Sequence, residues 1–156
     1  MKFYDEIPSP VGWIRITASD AAVLSIHLGA KRLPEITPNV VTDNAKKELQ
    51  EYFLGKRERF SLPYTLEGTE FQKKVWKALG KIPYGRLICY SEIATRIGHA
   101  RAVRAVGSAL GKNPLPIVLP CHRVIHAGSK IGGFTGGLDK KRRLLRHEGS
   151  LPEIKP

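Results

Sequence analysis

Short runs in which apolar and polar residues alternate open the chain. They predict β-strands at Lys2–Ile7, Trp13–Ala18 and Ala22–Leu28. The period then becomes that of a helix, which Asp43 is placed to cap and Gly55 to end. We therefore predict that residues 1–66 form a small strand-rich domain with one helix, and that its role is structural.

Helical periods dominate the rest of the chain, after a break in the pattern at residues 62–68 that marks the predicted domain boundary. Thr69 and Gln72 have the spacing of a capping box at the start of the next helix. Trp76 lies on the apolar stripe of that helix, which favours a place in the core over a base-stacking role. Residues 67–156 are thus predicted to form a mainly helical domain, and the whole chain a mixed α/β (α+β) fold.

Two short helices joined by a tight turn are predicted within the second domain. Ser91 is placed to cap the first, and the second runs from about Ala100 to Leu110. This arrangement is that of a helix-turn-helix, although an αα-hairpin that binds nothing has the same pattern. Small residues and arginines on the second helix suit either close approach to a DNA groove or tight helix packing. They are Arg101, Ala102, Arg104, Ala105, Gly107, Ser108 and Ala109.

Positive charge is concentrated in the second domain. The formal net charge of the chain is +12. Residues 1–66 contain nine Lys/Arg against eight Asp/Glu, whereas residues 67–156 contain seventeen against six. This asymmetry favours a polyanionic partner, nucleic acid before an anionic membrane surface, with a solubilising basic surface as the alternative.

Cysteine use and apolar runs indicate where the protein works. Only Cys89 and Cys121 are present, which is typical of an intracellular protein, although a disulfide between them stays open. The first residues lack the apolar run of a signal peptide, and no stretch approaches the roughly 18 apolar residues of a membrane span. We therefore expect a soluble cytoplasmic protein without membrane contact.

One cysteine lies beside a histidine on a proline-rich segment. Three prolines and an apolar run in residues 114–124 predict a stiff, partly extended backbone around Cys121. A free thiol has a pKa near 8.5, and His122 and Arg123 are candidate sources of the base or positive field that would lower it. Glu148, at the end of the last predicted helix, is placed to orient the histidine.

Two further features accompany this site. The glycine-rich run at residues 132–137 is predicted to form a pocket wall, because the Lys-Ser/Thr ending of a phosphate-binding loop is missing. The last helix, predicted from about Leu138 to His147, carries a charge run that usually marks a solvated face. Zinc is the rival explanation for the cysteine, but no common zinc spacing fits its would-be ligands Cys89, Cys121, His122 and His126.

The residues around Cys121 resemble the active-site signature of the O6-alkylguanine-DNA alkyltransferases, a family of single-turnover DNA-repair proteins. The resemblance rests on Asn113-Pro114 and the run Ile117–Val124, and it extends from about Thr69 to Gly149. It implies irreversible, stoichiometric transfer of the alkyl group from O6-alkylguanine in duplex DNA to Cys121, with O4-alkylthymine as a further substrate to consider.

The resemblance also implies a role for each catalytic residue. Cys121 would accept the alkyl group, His122 would act as its base through a water, and Glu148 would orient that base. Asn113 would bridge the helix-turn-helix and the active-site turn. Tyr90 would assist protonation of the departing guanine.

DNA contacts and a base pocket follow from the same resemblance. The second helix would enter the minor groove, and Arg104 would fill the base stack once the damaged nucleotide is flipped out, with Arg101 as the alternative. The implied DNA-binding residues are Ser91, Arg101, Arg104, Ala105, Gly107 and Arg123. The implied pocket residues are Tyr90, Leu110, Val124, Phe134 and Thr135.

Two departures from the family pattern matter. Phe134 stands where some relatives have a tyrosine. The phenylalanine ring keeps the stacking contact but lacks the tyrosine hydroxyl, and the hydroxyl of Thr135 beside it would supply that contact instead. The first 66 residues lack the Cys and His residues that bind zinc in mammalian members, so we predict no metal. We also predict no cofactor and a monomer. Two rival functions stay open. The first is lesion recognition without repair, but the relatives that do this lack the cysteine. The second is a regulator that senses alkylation or oxidation, for which no ligand or dimerisation domain is evident.

Overall fold

The computed structural model describes residues 1–128, 131–134 and 136–150, and its chain divides after Leu66 into two units. The first carries a three-stranded sheet and one helix, and the second carries mainly helices. The predicted mixed α/β class is therefore confirmed. Within the described ranges, no helix is both long enough and apolar enough to span a membrane.

An antiparallel sheet in the order β1-β2-β3 underlies the first unit. Its strands are β1 (Phe3–Ile7), β2 (Ile14–Ala18) and β3 (Val23–Leu28). The alternation of β2 explains why this region was predicted as strand, because Ile14, Ile16 and Ala18 are fully buried while Arg15 between them is partly exposed. Ile14 lies opposite Ile7 of β1, so apolar side chains of neighbouring strands pack together.

Helix α1 (Val40–Phe53) packs on this sheet. The prediction that Asp43 caps it was wrong. Asn39 is the N-cap: its side chain accepts from the Thr42 N–H at 2.9 Å, and the Thr42 hydroxyl accepts from the Asn39 N–H at 2.8 Å. Asp43 lies instead in the first turn, where its charge complements the helix dipole.

The second unit contains four helices, a two-stranded parallel sheet and a 3₁₀ helix in its described residues. They are α2 (Glu70–Leu79), β4 (Ile88–Cys89), α3 (Tyr90–Arg96), α4 (Val103–Gly111), the 3₁₀ helix Cys121–Arg123, β5 (Val124–Ile125) and α5 (Leu138–His147). The predicted capping box of Thr69 and Gln72 begins α2. Trp76 is buried in the core, where its indole N–H donates to the Ala109 carbonyl of α4 at 2.8 Å.

Helices α3 and α4 pack against each other and against α2, so the predicted pair of short helices is present. Its ends differ from the prediction. Cys89 is the N-cap of α3, and Ser91 lies exposed in the first turn. α4 begins later than predicted, so Arg101 precedes it and Arg104 lies in its first turn. Neither helix has a side-chain cap, so the capping signal of Ser91, from which the start of the first helix was predicted, does not operate here.

The proline-rich segment before the 3₁₀ helix is more tightly folded than the partly extended backbone we predicted. The Leu119 N–H donates to the Leu115 carbonyl at 2.8 Å, closing a turn. Ile117 is buried with a φ of 75°, a left-handed conformation that β-branched residues rarely adopt. A turn and a 3₁₀ helix, not a strand, therefore present Cys121.

Candidate active site

Cys121 lines a cavity of about 530 Å³ in the second unit. Residues of α3, α4 and the segment 131–134 bound this cavity, whose size is typical of small-molecule sites. The cysteine itself is only 6% exposed. A molecule that reacts with the sulfur has to enter this cavity, which makes the cavity the candidate active site.

The surroundings of the thiol do not lower its pKa. Burial raises the pKa of Cys121, and a hydrogen bond with Asn113 and the charge of Lys141 offset this only in part. His122 and Arg123 were candidates for a base or a positive field, and neither supplies the field, because the pKa of His122 is lowered and Arg123 is paired with Glu148. The resting thiol is therefore protonated, and its reaction requires a base.

Glu148 holds His122 and Arg123 side by side. Its Oε2 lies 2.8 Å from Nε2 of His122. Arg123 donates from Nε to Oε1 at 2.8 Å and from Nη2 to Oε2 at 3.0 Å, and its Nη1 donates to the Ile82 carbonyl at 2.6 Å. Arg123 is only 5% exposed, so the prediction that it contacts DNA was wrong.

Burial and these partners set the proton positions. Burial lowers the pKa of His122, and the charges of Arg123 and Lys141 add to this effect while Glu148 opposes it. Burial alone would raise the pKa of Glu148, but the hydrogen bonds and charges of His122 and Arg123 outweigh it and hold that pKa well below its usual range. A neutral His122 beside an ionised Glu148 carries its proton on Nε2, which leaves Nδ1 as the basic nitrogen.

Asn113 joins the end of α4 to the cysteine segment. Its Nδ2 donates to the Leu119 carbonyl at 2.7 Å, and its Oδ1 accepts from the Leu115 N–H at 3.0 Å. Its side chain also hydrogen-bonds Cys121. These bonds fix the backbone before Cys121, which is the placement that the predicted bridging role requires.

Tyr90 begins α3 and lines the cavity. The centroid of its ring lies 4.9 Å from that of His126. Burial raises the pKa of its phenol, the charge of Cys121 adds to this, and a hydrogen bond with the Gly133 backbone opposes it. Gly132 has a φ of 72°, and a Cβ there would lie 2.8 Å from the phenol oxygen, so the chain passes Tyr90 only with glycine at this position.

The structure brings together part of the predicted pocket. Tyr90, Leu110 and Phe134 line the cavity. Val124 does not line it, because its side chain is fully buried in the parallel sheet. Thr135 lies outside the described residues. Gly133 lines it as well, as the predicted pocket wall at residues 132–137 requires. Sequence reasoning missed three lining residues, and only the last of them had a signal, as a polar ring close to Cys121: Val103, Gly111 and His126.

Helix α4 presents an open face of small residues beside the cavity. Ala105 is exposed, and a Cβ on Gly107 would meet no atom within 4 Å beyond its own helix. Tight packing therefore applies only to the part of the helix around Ala109, which is buried and hydrogen-bonded to α2. Arg104 is exposed and lines the cavity, whereas Arg101 is exposed on the turn before the helix.

Lys141 is buried, although it belongs to the charge run of α5 that usually marks a solvated face. Its side chain is fully buried, and its Nζ donates to the carbonyls of Val124 at 2.7 Å and Gly133 at 3.0 Å. Leu144 and Leu145, three and four residues later, are fully buried as well. This spacing places all three on one helical face and is the signal that the sequence carried.

Neither cysteine forms a disulfide, so the open question of a Cys89–Cys121 bond is answered. Among the residues that the structure describes, no group of three or more His, Cys, Asp or Glu side chains could hold a metal ion. The partners of Cys121 and His122 are Asn113 and Glu148 instead of a zinc ligand set.

The fold and the site define a class of protein, in which a helix-turn-helix pair borders a cavity lined by a buried cysteine. A family profile described as "6-O-methylguanine DNA methyltransferase, DNA binding domain" matches residues 70–150. Together with the relatives described next, this match shows that the chain belongs to the family of methylated-DNA–protein-cysteine methyltransferases.

These relatives match along nearly the whole chain. A methylated-DNA–protein-cysteine methyltransferase of Methanosarcina barkeri is 44% identical over 153 residues, which cover 94% of this chain and 96% of the relative. The crystal structure of Mycobacterium tuberculosis O6-methylguanine methyltransferase has a TM-score of 0.86 at 39% identity and covers 96% of this chain and 94% of its own. The Mycobacterium tuberculosis protein in complex with DNA also has a TM-score of 0.86, at 40% identity, with coverages of 95% and 93%. The similarity therefore extends to both units.

Proposed function

We propose that this protein repairs O6-alkylguanine in duplex DNA by irreversible, stoichiometric transfer of the alkyl group to Cys121. The observation that carries the proposal is that Cys121 lines a cavity beside the open face of helix α4 and is followed directly by a histidine hydrogen-bonded to Glu148. The family membership supports the same reaction. DNA is the partner, as the complex of the Mycobacterium tuberculosis relative supports.

The proposed step is a displacement at the alkyl carbon. The Cys121 thiol gives its proton to Nδ1 of His122 through a water, and the sulfur forms a bond to the carbon as the bond from that carbon to O6 breaks. The departing electron pair goes to the guanine, which takes a proton from the Tyr90 phenol. Solvent returns a proton to the phenol and takes the one that His122 received. The products are S-alkylcysteine and guanine, and each protein molecule reacts once.

Each partner of Cys121 has a role in this proposal. Glu148 keeps His122 in the tautomer whose Nδ1 accepts the proton, because it accepts the hydrogen bond from Nε2. Asn113 holds the backbone before the cysteine. Tyr90, with its raised pKa, retains its proton at neutral pH until the guanine departs.

Helix α4 is proposed to read DNA through its shape and phosphates. Ala105 and Gly107 allow close approach to a minor groove, and Arg104, on the helix and beside the cavity, fills the space of the flipped nucleotide. Ser91 and Arg101, both exposed, contact phosphates. The flipped base is held by Tyr90, Leu110 and Phe134, and we keep Thr135 as a proposed contact.

Residues 1–66 are proposed to be structural and residues 67–156 to bind DNA and accept the alkyl group. All the proposed catalytic residues lie in the second unit of one chain, which supports a monomer. Two free cysteines and a DNA substrate support a cytoplasmic location.

Intact mass after incubation with an O6-methylguanine duplex tests the proposal. We expect a stoichiometric gain of one methyl group in place of one hydrogen, abolished in Cys121→Ser and retained in the matched control Cys89→Ser. Binding of the duplex without a mass gain would instead support lesion recognition without repair. An O4-methylthymine duplex in the same assay tests the second substrate.

A further inference from the structure

Lys141 is a charged residue in the protein interior that has no carboxylate partner among the described residues. Its side chain is fully buried, and no ion pair joins it to a carboxylate among the described residues. An ammonium in the protein interior is costly unless hydrogen bonds or an opposite charge compensate it. Hydrogen bonds to the Val124 and Gly133 carbonyls supply part of that compensation.

These two carbonyls place Lys141 at the active site. Val124 directly follows the 3₁₀ helix of Cys121, and Gly133 lines the same cavity as Cys121. One ammonium thus ties the backbone that follows the cysteine to the segment that bounds the cavity. The two carbonyls fix its position, from which its charge acts on Cys121.

Among the described residues, Lys141 is the buried cation near Cys121 that no carboxylate pairs, whereas Arg104, which lines the same cavity, is exposed to solvent. Arg123 is neutralised by the carboxylate of Glu148. His122 and Tyr90 are neutral, because burial lowers the pKa of the first and raises that of the second. His126, which also lines the cavity, is exposed to solvent.

We propose that the Lys141 ammonium, held between the Val124 and Gly133 carbonyls, is a positioning residue that stabilises the Cys121 thiolate during alkyl transfer. The role in alkyl transfer rests on the proposed function. The proton that leaves the thiol goes to His122, and the negative charge that remains on sulfur is compensated by Lys141 until the sulfur bonds to carbon. The coupling is reciprocal: the charge of Lys141 lowers the pKa of Cys121, and the thiolate raises that of Lys141, although burial outweighs this effect and lowers the pKa of Lys141 to about 8.

The first test is the pH dependence of Cys121 alkylation by iodoacetamide, followed by mass on the Cys121 peptide. In Lys141→Met the midpoint should move up by about one pH unit, so that the rate on the acidic side falls about tenfold. The matched control is Arg142→Met, which removes the same charge from the exposed neighbour on the same helix and should leave the midpoint unchanged.

An unchanged midpoint in Lys141→Met overturns the proposal, even if the rate falls equally at every pH, because a purely structural role would do that. An equal shift in Arg142→Met overturns it too, because net charge would then be the cause. The assay uses no DNA, so it is independent of the mass test of alkyl transfer. A protein that fails to take a methyl group but shows the shift would refute the proposed function alone.

A second measurement uses the unaltered protein, in case Lys141→Met does not fold. The ¹⁵N resonance of Lys141 Nζ is titrated before and after alkylation of Cys121 by iodoacetamide. Alkylation removes the possibility of a thiolate, so the Lys141 midpoint should move to lower pH. Equal midpoints in the two forms would contradict the proposed coupling.

Discussion

Glu148 accepts hydrogen bonds from Nε and Nη2 of Arg123 at 2.8 and 3.0 Å, and both side chains are buried. The same carboxylate lies 2.8 Å from Nε2 of His122. One acidic residue thus neutralises an arginine in the interior and orients the histidine beside the nucleophile. We therefore expect Glu148 to contribute to stability as well as to chemistry.

Glu148→Gln should lower the free energy of unfolding by roughly 3–5 kcal/mol, because it leaves the Arg123 charge buried without its counter-charge. Urea unfolding at neutral pH measures this. Glu92→Gln is the matched control: Glu92 forms an exposed pair with Arg96 at 2.7 Å, and its loss should cost less than about 0.5 kcal/mol. Similar small losses of unfolding free energy in both variants would show that the buried pair stabilises the protein no more than the exposed pair does.

His122 makes stability depend on pH. In the unfolded chain a histidine titrates near pH 6.5, whereas burial lowers the pKa of His122 in the folded protein. Below about pH 6.5 the unfolded state therefore binds a proton that the folded state does not, and the free energy of unfolding falls as the pH falls. His122→Gln should flatten this slope between about pH 7 and pH 5.

Urea unfolding at several pH values measures that slope. His27→Gln, at an exposed position of β3, is the control and should keep the slope of the unaltered protein. A slope that persists in His122→Gln would mean that other groups cause it.

Arg104→Ala should slow repair of an O6-methylguanine duplex more than reaction with free O6-benzylguanine, because only the duplex requires base flipping. Single-turnover rates on the two substrates measure the ratio. Arg101→Ala removes an exposed charge that does not line the cavity, so it should weaken duplex affinity without changing the ratio of rates. Equal losses on both substrates in Arg104→Ala would reject its flipping role.

Gly107→Ala should separate folding from DNA binding. A Cβ at this helical position meets no atom within 4 Å beyond the helix itself, so alanine should raise the free energy of unfolding by about 1 kcal/mol. The added methyl group would oppose close approach to a groove, and duplex affinity should fall. Ser108→Ala, on the exposed part of the same helix, is the control. Unchanged duplex affinity in Gly107→Ala would show that the DNA groove does not contact this part of α4.

Local patterns predicted the elements well. The three strands and the bounds of the last helix follow from apolar spacing, because the side-chain period of a strand or a helix is a property of a few neighbouring residues. Helix ends were less predictable. Asn39, not Asp43, caps α1, and α3 and α4 begin without any side-chain cap.

The sequence by itself also indicated the family. The pentapeptide around Cys121, with Asn113, Tyr90 and Glu148 at their spacings, resembles the active-site signature of the alkyltransferases, and the comparisons confirm that the chain belongs to this family. These are properties of residue type and order, which no fold is needed to read.

Only the tertiary structure decided how the charges near Cys121 are paired. Arg123 appeared to be a free cation, yet folding places it against Glu148, 25 residues away in the chain. Lys141 belonged to a charge run, yet it is buried against two carbonyls of the active-site backbone. The balance between burial and an opposite charge within a few ångströms sets the pKa of each group, and the distances between remote side chains exist only in the folded chain.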